Sequence, residues 1–326
     1  MQDVKYRVRG FFGRIPSEPH ALNERVTPTE KSIVLCHLGV PEIDKDANWI
    51  VEVGGLVESS LRLDLEQIKA FPKTTITSVH QCAGSPLVPE KPTQRVCNVS
   101  WGGVRLDYVL NHAGVKQSAR YVWSRGVDEG EFTGVRCGAY LKDLPLERVS
   151  SEVLLAYEMN GSQLLAEHGF PLRLVVPGFY GTNSVKWLCR IDLASSRAPG
   201  PFTTTWYNDR VSGNATRPVW SIAPQSVIVW PAPQKELRTG ETIQIWGWAW
   251  GDGGVEGVDA SFDGGHSWQK CRLETNEGYA WQKFVCDWQV KAGTVGLTSR
   301  AIGRNGVHQP QDGMRNAFYH VPIKVV

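Results

Sequence analysis

From about residue 218 to its end, the chain carries short strand-like runs broken by Gly and Asp-Gly turns, with no convincing helical pattern. That texture confines the C-terminal part to an all-β architecture. The runs cover residues 227–230, 242–250, 257–262, 279–288, 296–302 and 318–325, a spacing that predicts an immunoglobulin-like sandwich. Upstream the texture differs. Residues 49–57 alternate like a strand, 64–71 read as a short helix stopped by Pro72, and 104–113 read as an amphipathic helix ending at Gly114. Residues 153–159 and 172–176 read as strands. A chain of 326 residues exceeds what a single core usually supports, so two domains are expected. The fold class is α+β: an irregular arm over 1–40 interrupted by Pro16, Pro19 and Pro28, a mixed α/β domain over 41–217, and the sandwich over 218–326. Ser212, Gly213 and Asn214, before Pro218, mark the boundary. Many of the 13 tryptophans lie in the second domain, where they fill a core or a subunit interface.

Composition removes several function classes. A formal charge of +2 without Lys/Arg runs lacks the footprint of a nucleic-acid or membrane-surface binder, so neither partner is expected. No stretch approaches the roughly 20 apolar residues of a membrane span, and residues 1–14 are too polar for a signal-peptide core. A cytoplasmic location follows, or a periplasmic one had an export leader been trimmed. The 7 cysteines are scattered and form no CxxC pair, which argues against a disulfide framework and a zinc knuckle. A cysteine that binds metal here does so alone, with the other ligands coming from a cofactor.

One cysteine has a setting suited to that. The alternating segment 74–81 runs into Cys82-Ala83-Gly84, so the thiol sits where a strand opens into a turn and small neighbours let a bulky group approach. By itself the pattern equally describes a small buried hydrophobe. A second set of blocks is Tyr157-Glu158-Met159-Asn160-Gly161, then His168-Gly169-Phe170-Pro171-Leu172-Arg173, then Ser184-Val185-Lys186-Trp187-Leu188. Together with Gln81-Cys82-Ala83-Gly84, these resemble the molybdopterin-binding core of the sulfite oxidase family. Gly247-Trp248-Ala249-Trp250 and the segment from Val258 to Trp268 are similar to that family's C-terminal dimerisation domain.

The resemblance implies an oxidoreductase that carries the molybdenum cofactor, Mo-molybdopterin, and moves two electrons and one oxygen atom between a small substrate and molybdenum, the oxygen coming from or returning to water. Cys82 is then the metal-bound thiolate, a soft ligand matched to a soft centre. By position the family's cofactor residues correspond to His37, Asp128, His168, Arg173, Ser184, Val185 and Lys186. Against these stand plainer readings: a solvated loop carboxylate for Asp128 and a surface residue for His37. Arg173 lies inside an apolar run, where a guanidinium needs an anion or is buried at high cost. Tyr207 falls where the family places an active-site tyrosine; packing at the domain boundary is its alternative role.

The chain also departs from the family. Leu35-Cys36-His37 stands where sulfite-oxidising and nitrate-reducing members carry Arg-Asn-His, so the oxyanion-gripping arginine is absent. Ser85-Pro86-Leu87 follows the cysteine motif where basic residues are usual. Arg210 and Arg304 are the candidates to compensate, and Cys36 reads as an inert buried thiol. The expected substrate is an oxyanion or sulfur compound, with oxidation of sulfite or a relative first and reduction of an S-oxide or nitrate second. A non-catalytic cofactor-carrying or docking subunit is the alternative of another class. No haem module or dinucleotide fingerprint is visible, so a separate electron-transfer protein is expected, and homodimerisation through the second domain follows from the resemblance.

Overall fold

The structure, a computed structural model, describes residues 5–14, 18–46, 48–84, 95–149, 152–211, 213, 215–304, 306–311 and 315–326. Chain contacts divide it into two compact units, one of residues 1–14, 33–76 and 100–220, the other of 15–32, 77–99 and 221–326. Strands dominate both. The first unit was expected to mix α and β, yet its α-helices are α1 (Leu65–Lys69), α2 (Leu106–Ala113) and α3 (Pro201–Thr204).

Local chemistry accounts for these helices. In α1 the Asp64 carboxylate accepts the Gln67 N–H at 2.8 Å while the Gln67 side chain accepts the Asp64 N–H at 2.9 Å, a reciprocal cap that closes a helix start. In α2, Leu106, Val109, Leu110 and Ala113 are buried at helical spacing, and Gly114 ends it with φ 71°.

The first unit holds a five-stranded sheet in the order Leu141–Pro145, Tyr121–Gly126, Leu188–Ala194, Ile50–Gly55, Leu61–Asp64. Leu188–Ala194 runs parallel to Ile50–Gly55 and antiparallel to Tyr121–Gly126. A second sheet contains Ser162–Gln163, Leu154–Met159, Val96–Arg105 and Lys73–Gln81, with Arg173–Val175 also paired to Leu154–Met159. One core draws on both sheets and both longer helices, including Val53, Val122, Ile191, Leu155, Leu174, Ile68 and Leu110. Burying such aliphatic side chains stabilises a domain by about 1.5–3 kcal/mol each.

The expected irregular arm is partly regular. Tyr6–Arg9 pairs with Gly39–Pro41, and Phe12–Arg14 with Val34–Cys36. Strands this short show no periodicity, and their partners lie too far along the chain for a turn signal to connect them. The boundary stretch is also ordered where it is described: Asn208–Arg210 pairs antiparallel with Thr216–Pro218. Ser212 and Asn214 fall outside the described residues.

In the second unit, two four-stranded sheets share a core. One has the order Gln225–Trp230, Thr242–Trp250, Gln282–Gln289, Arg272–Leu273; the other Gln269–Lys270, Val255–Ser261, Gly296–Gly303, His320–Pro322. Ile245 and Phe284 from the first meet Val258, Leu297 and Ala301 from the second. Trp248, Trp250, Trp281 and Trp288 are buried, with Trp248 stacked on Trp281 at 4.9 Å between centroids. Trp230, by contrast, is exposed. Segment 77–99 is tied into this unit: the Trp250 indole N–H donates to the Gln81 side-chain oxygen Oε1 at 2.8 Å, and Val79 N–H to Tyr279 O at 2.9 Å. Among the described residues no helix is long and apolar enough to cross a membrane.

Candidate active site

The chain reverses at residues 166–169, where Gly169 takes φ 102°, and returns as Arg173–Val175 beside the 184–188 segment. Leu174 N–H donates to Val185 O at 2.8 Å, Leu188 N–H to Leu172 O at 2.9 Å, and Val176 N–H to the Ser184 hydroxyl at 3.1 Å. This lateral pairing brings two sequence-separated blocks together. A Cβ at residue 169 would lie 3.0 Å from Lys186 Cβ and 3.2 Å from Arg173 Cβ, so glycine is required there for space as well as for φ.

Arg173 is buried, 2% exposed. Its guanidinium donates to His168 O at 2.9 Å and Ser184 O at 3.2 Å, and its Cζ lies 4.7 Å from the centre of the Trp101 ring. His168 is buried as well, and its Nε2 lies 3.5 Å from an Arg14 guanidinium nitrogen. Lys186 reaches the N-terminal strand pair, with Nζ 3.0 Å from Leu35 O, 2.9 Å from Glu167 O and 2.8 Å from Cys36 Sγ. The next residue, Trp187, holds the left-handed φ of 48°. Its indole is anchored by a 2.9 Å bond to Ala166 O and packs with Val34, Cys36 and Val40, which offsets that strain.

Asp128 is buried rather than a solvated loop carboxylate. Burial pushes its pKa up to about 7, against the lowering influence of the Lys186 ammonium. Gly126 makes room for it: a Cβ there would fall 2.4 Å from Asp128 Oδ1 and 2.7 Å from Lys186 O. His37 is half-buried, not a surface residue. Burial and the nearby Lys186 charge push its pKa down to about 4, so the imidazole is neutral at pH 7.

Tyr207, whose alternative role was boundary packing, places its hydroxyl 2.6 Å from His37 Nε2. With the imidazole proton on Nδ1, the tyrosine donates to Nε2. Phe132, Phe202 and Tyr140 surround the same imidazole at 4.7, 5.4 and 5.7 Å between centroids. Tyr207 also takes a left-handed φ of 59°, an outlier of the kind that clusters at functional sites.

Cys82 follows directly after the strand Lys73–Gln81, at the expected strand-to-turn junction. Its N–H donates to Arg95 O at 2.9 Å, and the Gly84 N–H lies 3.3 Å from its sulfur. A backbone N–H on a sulfur draws electron density from a thiolate, one of the levers by which proteins tune a thiolate-bound metal. Cys82 lies in segment 77–99 of the second unit. Ser85-Pro86-Leu87 falls outside the described residues. Arg210 and Arg304 are both exposed.

Several residues of the site carry no motif. Lys142 is 1% exposed, donates to Phe202 O at 2.7 Å and lies 5.5 Å from the centre of the Tyr207 ring; burial pushes its pKa down to about 8. Asp143, fully buried, accepts from Arg197 Nε at 2.7 Å, from its Nη2 at 3.0 Å and from Ala198 N–H at 3.2 Å, clamping the segment that enters α3. Adjacent charges between Leu141 and Leu144 were the available sign, since a strand with both faces buried has no solvent side for either. Asn183, 1% exposed, donates through Nδ2 to Tyr180 O at 2.9 Å, while its buried Oδ1 has no hydrogen-bond partner among the described residues.

Among the described residues no group of three or more His, Cys, Asp or Glu could hold a metal ion. The chemistry present is of another kind: a buried guanidinium, an ammonium and an imidazole around one turn, an unsatisfied buried acceptor beside them, and a thiol with a backbone donor. Cations and acceptors suit a phosphate-bearing heterocycle, and the thiol suits a soft metal, so these residues fit a molybdopterin cofactor.

Comparisons with known proteins agree. The family model described as "Oxidoreductase molybdopterin binding domain" matches residues 37–202, and "Mo-co oxidoreductase dimerisation domain" matches 216–325. Mitochondrial sulfite oxidase of Rattus norvegicus is 35% identical over 84% of this chain, which spans 54%, about half, of that protein's length. Sulfite oxidase of Arabidopsis thaliana is 30% identical, with 97% of this chain and 92% of the plant protein covered. Among solved structures, the sulfane dehydrogenase SoxCD from Paracoccus pantotrophus matches with a TM-score of 0.80 and 30% identity, covering 92% of this chain and 81% of that one.

Proposed function

The chain belongs to the sulfite oxidase family of molybdenum-cofactor oxidoreductases, and from that premise we propose that it catalyses a two-electron oxygen-atom transfer on a small sulfur compound, with sulfite or a relative as reductant. Bound, the cofactor supplies the oxygen-atom and electron transfer itself. The observation that carries the proposal is the convergence of His168, Arg173, Ser184 and Lys186 on one turn, with Lys186 reaching the strand that leads to His37.

In this reading Cys82 is the thiolate on molybdenum. Arg173, Lys186 and His168 neutralise the cofactor's phosphate end, while Ser184, Val185, Asp128 and His37 line the rest of its seat. Tyr207 presents its hydroxyl oxygen as an acceptor at the reacting end of the substrate, and the neutral His37 holds that hydroxyl in place by taking its proton in a hydrogen bond. The domain over 41–217 is the catalytic one, and 218–326 is an immunoglobulin-like dimerisation domain. Electrons leave through a separate redox protein. A cytoplasmic enzyme, or a periplasmic one behind an export leader, completes the proposal.

A second reading rests on Leu35 and the uncharged, ring-enclosed His37. Without a fixed cation at these positions, a neutral S-oxide is held as well as a dianion, and the reaction then runs as a reduction. Metal and pterin analysis of purified protein tests the shared premise. Stoichiometric molybdenum in the native chain and its loss in Cys82→Ser are expected; molybdenum retained by Cys82→Ser refutes the ligand assignment. Turnover of sulfite with an artificial electron acceptor is the expected activity. Absence of that turnover, alongside S-oxide reduction by a reduced dye, selects the second reading.

A further inference from the structure

Lys186 and Cys36 meet in a way the cofactor seat does not require. A lysine ammonium has three N–H donors, and here three acceptors lie around Nζ: Leu35 O at 3.0 Å, Glu167 O at 2.9 Å and Cys36 Sγ at 2.8 Å. Sulfur is larger than oxygen, so the contact to sulfur should be the longest of the three. It is instead the shortest, closer than the usual separation of nitrogen and sulfur in an N–H···S hydrogen bond.

Both partners are held in this position. Cys36 is 1% exposed in the strand Val34–Cys36, which pairs with Phe12–Arg14 and packs on Trp187. Lys186 is fixed from the other side by Trp187, whose ring centre lies 4.9 Å from Nζ. Two reactive groups kept in contact by packed elements react as an intramolecular pair, with a high effective concentration.

We propose that Cys36 and Lys186 are an oxidative modification site, at which one oxygen atom from dioxygen links Sγ to Nζ as a covalent N–O–S bridge. The lysine reacts as the free amine, its third ammonium proton passing to solvent. One S–H bond and one N–H bond break, one S–O bond and one N–O bond form, and the second oxygen atom leaves as water with the two hydrogens. Sulfur and nitrogen each give up two electrons, which reduce dioxygen by four. Excess thiol returns four electrons and restores the cysteine, the lysine and a further water.

The bridge has a consequence for the site, which rests on the reading of Lys186 as a cofactor residue. Nitrogen bonded to oxygen is weakly basic, so the bridged residue no longer offers an ammonium to the cofactor's phosphate. Loss of that positive charge near an anionic group lowers affinity by about tenfold or more. Oxidation of this pair therefore makes cofactor loading redox-dependent.

Peptide mass spectrometry of the full chain, purified in air without reductant, is the primary test. The expected result is a linked pair of peptides, one containing Cys36 and one Lys186, heavier than their sum by one oxygen and lighter by two hydrogens. It disappears with excess dithiothreitol and is absent from Cys36→Ser and Lys186→Arg. Recovery of both peptides unlinked from air-exposed protein overturns the proposal, as does sulfinic acid on Cys36 beside an unmodified Lys186. The wild-type measurement alone decides this, even where a variant fails to fold.

Molybdenum per chain after reconstitution reads the consequence. The air-exposed protein should load about tenfold less than the thiol-treated one, and Cys36→Ser should be indifferent to thiol. Equal loading of the bridged and reduced forms overturns the loading effect. Failure of both forms to take molybdenum overturns the cofactor reading with it, whereas the bridge is judged on mass alone.

Discussion

His37 and Asp128 should give the cofactor-free protein two opposing pH dependences that nearly cancel until one is removed. Burial and the Lys186 charge hold the His37 pKa at about 4, below its ordinary 6.5. Above pH 6.5 both folded and unfolded states carry the neutral imidazole; as pH falls from there, the unfolded state protonates first and stability drops until about pH 4. The integrated loss is roughly 3 kcal/mol. Asp128 behaves in the opposite sense, because burial raises its pKa from 3.8 to about 7. Between those values the unfolded carboxyl ionises first, so stability falls as pH rises, by roughly 4 kcal/mol over the window. Urea unfolding followed by tryptophan fluorescence, on apo protein across this range, should find little net slope in the native chain. Asp128→Asn should uncover stability that rises between about pH 4 and 6.5, and His37→Gln stability that falls toward about pH 7. Each slope should approach about 1.4 kcal/mol per pH unit. Variants whose pH profiles run parallel to the native one would refute the claim that these two groups dominate the titration.

Arg197→Ala strands the fully buried Asp143 carboxylate, and an uncompensated buried charge costs about 3–5 kcal/mol; a thermal shift confined to under a degree would contradict the clamp. Gly126→Ala places a methyl group against Asp128 Oδ1 and Lys186 O, and overpacking of this kind costs about 1–3 kcal/mol, read by denaturant midpoint together with molybdenum content. Tyr207→Phe should lower kcat by about tenfold or more while leaving molybdenum content intact; unchanged kcat would assign the tyrosine to packing. Phe284→Ala in the second unit's core should cost about 3–5 kcal/mol and leave the absorption of bound cofactor unaltered in whatever protein remains folded.

Much of the architecture was legible because its signals are local. The short helix stopped by Pro72, the buried spacing of α2 with Gly114 behind it, and the alternation that ends at Cys82 each depend on residues within one element. The β texture after residue 218 likewise predicts two sheets without naming their order. The pairings of Tyr6–Arg9 with Gly39–Pro41 and of Phe12–Arg14 with Val34–Cys36 were not legible, since segments of three or four residues display no period. The grouping of residues 15–32 and 77–99 with the C-terminal unit was hidden for a related reason, because it rests on long-range contacts such as Trp248 to Leu22 O at 2.6 Å.

The amino-acid order by itself determined which chemical groups the molecule owns: a thiol at a strand end, an arginine in an apolar run, a Ser-Val-Lys turn, and a leucine where an arginine is usual. Tertiary structure decided what those groups experience. Desolvation makes His37 a neutral acceptor and Asp128 a reluctant acid, lateral pairing puts Arg173 against Ser184, and packing on Trp187 presses Lys186 onto Cys36. Protonation state and contact distance depend on the surrounding dielectric and on neighbours distant in sequence, which no local pattern encodes.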